Sequence, residues 1–173
     1  MRTFRLLRED EIECRIAEIN KQGSGLSLLL YKTARTDAAL LDETFGTDRW
    51  QNDYKMLDGK LYGGIGIRFE NGWIWRWDCG TESNMEAEKG QASDAFKRAG
   101  FKWGIGAELY SAPRIFIPKE KCNIKDYNGK LKCYDTFRVE KIRYDDQGNI
   151  DALSIWNDTL NRRCFVWQKS TTS

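Results

Sequence analysis

The chain of 173 residues contains no histidine. That removes the commonest general base near neutral pH and the usual nucleophilic triads. The cysteines, Cys14, Cys79, Cys122, Cys133 and Cys164, are scattered and form no C-x-x-C pair. A zinc site would have to be built from distant thiolates and carboxylates, so the cysteines read as reduced, small core residues of a cytosolic protein. No apolar run approaches the roughly 20 residues that a membrane-spanning helix needs. The opening stretch MRTFRLLREDEIECR has no apolar core followed by a small-residue cleavage site, which argues against secretion. An excess of one charge is also missing. With 28 basic and 26 acidic residues the net charge is +2, too little to announce a polyanionic partner.

Tryptophan, by contrast, is abundant. Three of the seven stand at alternate positions in GWIWRWDCGTESN: Trp73, Trp75 and Trp77. They are either a stacking platform for flat ligands or the buried face of a strand. Cations are unevenly spread. Between Pro113 and Arg143 lie Arg114, Lys119, Lys121, Lys125, Lys130, Lys132, Arg138, Lys141 and Arg143, against only Glu120, Asp126, Asp135 and Glu140. A solvated loop face and a phosphate-binding surface both fit this excess.

The spacing of Ile12, Ile16 and Ile19 predicts a helix in the first segment, and LSLLLY (26–31) a buried strand. A helix capped by Thr36 or Asp37 should run to Gly46. Strand-like residues 50–54 lead into an Asp-Gly turn, LDGK, and then LYGGIGIRF (61–69). Gly63, Gly64 and Gly66 cannot form a phosphate-cradling loop, because a strand and not a helix follows them. The tryptophan strand comes next. A two-residue Asn-Gly turn would pair Arg68 with Trp75. A three-residue Glu-Asn-Gly loop would pair Phe69 with Trp73, Ile67 with Trp75 and Ile65 with Trp77, giving one wholly apolar face. The second register is preferred because it segregates apolar from charged residues, with Arg68, Ile74, Arg76 and Asp78 facing away. Ala92, Ala95, Phe96, Ala99 and Trp103 then form a narrow helical stripe, expected to cover the tryptophan face, before Gly104 and Gly106 end the helix. After Pro113 the pattern is of strands: RIFIP, two in FRVEKIRYDDQGNIDALSIWND and a third in RRCFVWQK. The expected fold is therefore α+β, an antiparallel hairpin or meander on a long helix, with a core over residues 1–117 and a basic β-rich extension over 118–173.

GKLYGGIGIRFENG followed by GTESNMEAEKGQASDAFKRAGFKWGIGAELY resembles the single-strand annealing family of the Rad fifty-two recombination protein and phage Sak-type proteins. A Gly-Lys-aromatic turn opens a hairpin, and the helix behind it carries a small-residue-Asp-x-x-Lys-Arg-Ala signature. KQGSGLSLLLY and TFGTDRW extend the likeness to about residues 15–112. The resemblance implies a β-β-β-α annealing core assembled as a ring or partial ring, with single-stranded DNA in a basic groove. The family's phosphate-gripping lysine falls on Lys97, its basic residue before the glycine stretch on Lys21, and a second-site lysine on Lys60. Arg98 and Lys102 join by proximity on the helix, and Arg68 and Arg76 on the hairpin. The implied partners are single-stranded DNA, other copies of the chain, and a single-strand-binding protein or exonuclease in a bacterial or phage-infected cell. No nucleotide, metal or other cofactor is expected, since annealing needs only charge neutralisation and exposed bases. The tryptophans then read mainly as core. Two rivals stand beside this reading: a DNA-end-protecting protein that binds without annealing, and a metal-dependent nuclease built on Asp78, Glu82, Glu86 and Glu88.

Overall fold

The computed structural model describes residues 2–81 and 87–170. It is α+β, with two α-helices and antiparallel sheets. Two compact units divide the chain: Met1–Leu6 with Lys32–Ala107, and Leu7–Tyr31 with Glu108–Ser173.

The first unit holds helix α1 (Ala34–Phe45), strands β3 (Trp50–Leu57), β4 (Lys60–Phe69) and β5 (Gly72–Cys79), and helix α2 (Ala87–Lys102). The three strands form one antiparallel sheet in chain order. Asp58 and Gly59, both at positive φ (50° and 74°), make the expected tight turn between β3 and β4. Helix α1 starts earlier than expected. Thr33 is its N-cap and Gly46 ends it at φ 87°, while Asp37 lies buried inside its first turns. The expected cap of α2 falls in residues 82–86, outside the described residues.

Neither expected register of the tryptophan hairpin holds. Phe69 pairs with Gly72, Arg68 with Trp73, Gly66 with Trp75 and Gly64 with Trp77, so only Glu70 and Asn71 form the loop. Each of the two inner indoles thereby lies across from a glycine. A methyl group at Gly64 would sit 2.6 Å from three atoms of the Trp77 ring, and one at Gly66 2.5 Å from the Trp75 ring. Steric fit of indole onto bare backbone sets this pairing, and sorting by hydrophobicity alone misses it. The tryptophans consequently share a face with Arg68, whereas Ile65, Ile67, Ile74, Arg76 and Asp78 occupy the other. This corrects the expected partition.

Helix α2 covers the isoleucine face, not the tryptophan face. Ala95 and Ala99 are fully buried and Phe96 nearly so, as the stripe required, and beneath them lie the fully buried Ile65 and Ile67. A methyl group at Gly63 would meet the Ala95 carbonyl carbon at 2.9 Å, which shows how closely helix and strand cross. Trp103 donates its indole N–H to the Ile65 carbonyl (2.9 Å) and stacks on Phe69 with ring centroids 6.2 Å apart. On the opposite face Trp75 and Trp77 stack on each other at 5.4 Å, and the Lys55 ammonium lies 4.5 Å from the Trp77 ring centroid. Trp73 is 40% exposed. The ladder is a half-exposed surface with one glycine-lined side, so the expectation that it is mainly core is overturned.

The second unit is built on a six-stranded sheet in the order β11-β10-β9-β1-β2-β6. Its strands are β1 (Glu13–Ile19), β2 (Gly25–Tyr31), β6 (Ile115–Pro118), β9 (Phe137–Tyr144), β10 (Ile150–Asn157) and β11 (Arg162–Gln168). The first segment is thus a strand where a helix was expected. Ile12, Cys14 and Ile16 alternate as a strand requires, and a bulge between Ile16 and Glu18 shifts the next inward position to Ile19. The bulge counterfeits helical spacing. A small separate hairpin, β7 (Lys125–Tyr127) and β8 (Lys130–Lys132), interrupts what was expected to be loop. All five cysteines are free, and burial pushes the thiols of Cys14 and Cys122 up to about 12 and that of Cys164 to about 11. Among the described residues no helix is long and apolar enough to cross a membrane.

The close crossing of β4 and α2 predicts that Gly63→Ala destabilises the first unit by about 1–3 kcal/mol through overpacking, read from the urea midpoint.

Candidate nucleic-acid interface

The centre of the hairpin–helix unit is a buried ion pair that the sequence reading passed over. Lys32 and Asp37 are inaccessible to solvent, with Nζ and Oδ1 2.5 Å apart. The Lys32 ammonium also donates to the main-chain carbonyl of Lys97 (3.0 Å) and lies 4.0 Å from the centroid of Phe101. Gly100 leaves room for this arrangement, since a methyl group there would fall 2.1 Å from Asp37 Oδ1. One lysine thus joins the start of α1 to the turn of α2 that carries Lys97. Asp37 Oδ2 is buried without a hydrogen-bond partner among the described residues. Burial raises the Asp37 carboxyl to about 6, against the opposing pull of the Lys32 ammonium and a weaker one from Lys97. The half-buried Lys97 therefore sits beside a fixed internal charge.

Around this centre the remaining cations separate by face. Arg98 pairs with Asp94 one helical turn earlier (2.8 Å). Asp94 does more than that pairing, because its Oδ2 also accepts the Thr81 backbone N–H (2.9 Å) and hydroxyl (3.0 Å). Burial alone would raise the Asp94 carboxyl, but these hydrogen bonds and Arg98 hold it below its ordinary value. Asp94 in the Asp-x-x-Lys-Arg signature thus ties the end of β5 to the helix. Arg76 lies over the Trp103 ring (4.4 Å to the centroid) and donates to the Lys102 carbonyl. Lys102 itself is 3.9 Å from Asp78. Lys60 and Arg68 emerge on the other face of the sheet, with the tryptophans and Lys55. The exposed Lys21 belongs to the second unit. Six of the seven expected cations, Lys60, Arg68, Arg76, Lys97, Arg98 and Lys102, are therefore carried by one unit, on two of its faces.

Of the carboxylates in the nuclease reading, Asp78 accepts the Cys79 backbone N–H (2.8 Å), and Glu82 and Glu86 lie outside the described residues. Among the described residues no three His, Cys, Asp or Glu side chains converge as a metal site.

Residues 56–127 match the family model of the Rad52/22 family double-strand break repair protein. This segment is Rad52/22-like. It runs from the end of β3 through β4, β5 and α2 to the end of β7, and takes in the six expected cations of the hairpin–helix unit. The resemblance upstream of Met56, including Lys21, lies outside the match. No curated protein matches the chain. The likeness to a double-strand break repair family is thus carried by residues 56–127.

Removing one member of the buried pair leaves the other as an uncompensated charge, so Lys32→Met is expected to cost about 3–5 kcal/mol in denaturant unfolding, and Lys32→Met with Asp37→Leu much less. The folded state holds the Asp37 proton more tightly than the unfolded chain does. Its contribution to stability should therefore grow as pH falls through about 6 and level off below the ordinary 3.8. Asp37→Asn should flatten this part of the stability profile, measured by unfolding across that pH range.

Proposed function

We propose that the protein binds single-stranded DNA through its phosphates and anneals complementary strands without ATP, in recombination and repair, as an oligomeric ring or partial ring. The observation that carries this reading is the coincidence of the Rad52/22 match with the one unit that holds six of the seven candidate cations. The β3-β4-β5 sheet and α2 serve in this reading as the β-β-β-α annealing core within residues 1–117, and 118–173 as its basic extension.

The chemistry asked of such a protein is modest. Every cation that neutralises a phosphate releases condensed counterions and reduces repulsion between the strands to be paired. Lys97 is the favoured contact. Its main-chain carbonyl accepts from Lys32, so the side chain springs from an anchored backbone and little main-chain ordering is left for the moment of binding. Arg98, by contrast, is engaged with Asp94, and its contribution is smaller. No acid–base residue or bound nucleotide takes part, and the protein acts as a binding and pairing factor, not an enzyme, in the cytoplasm of a bacterial or phage-infected cell.

Lys97→Ala should keep the parent's circular dichroism and unfolding midpoint. Its affinity for single strands should fall about tenfold to a hundredfold, the loss of one charge-assisted hydrogen bond. The parent should accelerate annealing of complementary oligonucleotides without ATP. Tight binding with no acceleration would support end protection instead, and unaltered binding by Lys97→Ala would remove Lys97 from the interface.

A further inference from the structure

The β7–β8 hairpin of the second unit is a charged appendage with two unlike faces. Lys125 pairs with Lys132, Asp126 with Leu131 and Tyr127 with Lys130. Alternation puts Leu131 on one side, where it meets the loop after β1; a methyl group on Gly23 would lie 3.3 Å from Leu131. Lys125, Lys130, Lys132 and Tyr127 share the other side. The one acidic residue, Asp126, is on the docked side, and its Oδ1 accepts the Gly129 N–H in the turn (2.6 Å).

Two like charges directly opposite each other destabilise an antiparallel pair, and a hairpin with three residues per strand has little stability to lose. Lys125 and Lys132 are such a pair. Among the described residues, none of the three lysines makes an ion pair that would relieve the repulsion. Aromatic surface accompanies them. Tyr134, 70% exposed, meets Tyr127 edge to face with ring centroids 5.9 Å apart, and the Lys132 ammonium is 5.9 Å from the Tyr127 ring centroid.

The hairpin stands on a rigid base. The fully buried Asn157 donates through Nδ2 to Asp135 (2.9 Å) and to the Lys121 carbonyl (3.2 Å), at the two ends of the appendage. Asp135 also accepts the backbone and side-chain N–H of Asn123 (2.8 and 3.0 Å). The neighbouring loop is equally fixed, because Asn20 Oδ1 accepts the Ser24 N–H (2.8 Å) and the Ser24 carbonyl accepts the Lys119 N–H (2.9 Å). That loop carries Lys21. The backbone that carries the cations is thus anchored at its base, and the lysines repel one another and stand next to aromatic faces.

We infer that the outer side of this hairpin is a second single-strand contact, with Lys125, Lys130 and Lys132 on phosphates and Tyr134 stacking a base. A polyanion relieves the lysine repulsion, and a polyanion with flat bases also uses the tyrosines, which an acidic peptide would leave idle. The inference rests on the single-strand reading above, but on residues of the other unit.

The test measures binding of labelled oligothymidylate against salt for the full chain. Changing Lys125, Lys130 and Lys132 together to serine should lower the slope of log affinity on log salt by about 2, three cations at about 0.7 each. The corresponding triple arginine variant should restore it. Tyr134→Ala should weaken binding about tenfold at unchanged slope. Lys125, Lys130, Lys132 and Tyr134 are all exposed, and an unchanged unfolding midpoint verifies that the fold survives. If the parent binds and Lys97→Ala weakens it while the serine variant keeps the parental slope, this inference falls and the Lys97 reading stands. If the serine variant instead loses only binding of a polyglutamate peptide, an acidic protein is the occupant and the inference is overturned. Absence of single-strand binding by the parent would overturn both.

Discussion

Helix α2 can lie on strand β4 as closely as it does because both have given up side chains at the crossing. Gly63 offers bare backbone, and Ala95 and Ala99 come down onto the sheet with no more than a methyl group. The rest of the first unit depends on that approach. It brings the Trp103 indole within reach of the Ile65 carbonyl, and it sets the Lys97 turn over the buried Lys32 ammonium. A bulkier crossing would move the helix outward and break these hydrogen bonds together, because each joins α2 to a different neighbour. Packing of the smallest residues thereby governs where the candidate phosphate-binding lysine stands.

The helix stripe, most of the strands and the Asp-Gly turn were legible in the sequence, since each is set by residues near in the chain: periodic apolar positions, positive-φ turn residues and glycine stops. What the sequence hid was set by long-range fit. The tryptophan register was judged by keeping apolar residues on one face, whereas the decisive fact is that two indoles need two glycines opposite them. The strand at 13–19 passed for a helix because a bulge displaced one isoleucine by a single position. The signal for the hairpin was present in the glycines of GGIGI, which also explain why a strand so poor in side chains tolerates large neighbours.

The candidate site was legible through the motif resemblance more than through composition or geometry. Lys97 and Lys60 were singled out by the family resemblance and Arg98 by its place beside Lys97, but nothing local showed that Asp94 ties strand to helix or that Arg76 and Arg68 point to opposite faces. Lys32 drew no reading and Asp37 only that of a helix cap, because a lysine after an apolar run and an aspartate near a helix start look like surface residues. Burial of the pair emerges only when α1 and α2 are brought together. The basic excess after Pro113 was visible as a count, while its arrangement as a face with opposed lysines required the pairing of β7 with β8.

The indole-on-glycine contacts have a consequence for how this sequence can diverge. Where Trp77 rests on Gly64 and Trp75 on Gly66, neither member of a couple is free to drift alone. A side chain at the glycine collides, and a smaller residue at the tryptophan uncovers the strand. Once an indole has been trimmed, the facing glycine becomes open to alanine or valine, and after that step the indole cannot easily return. Mutational history at these positions should therefore be directional and paired, each double change closing the path back to the arrangement seen here.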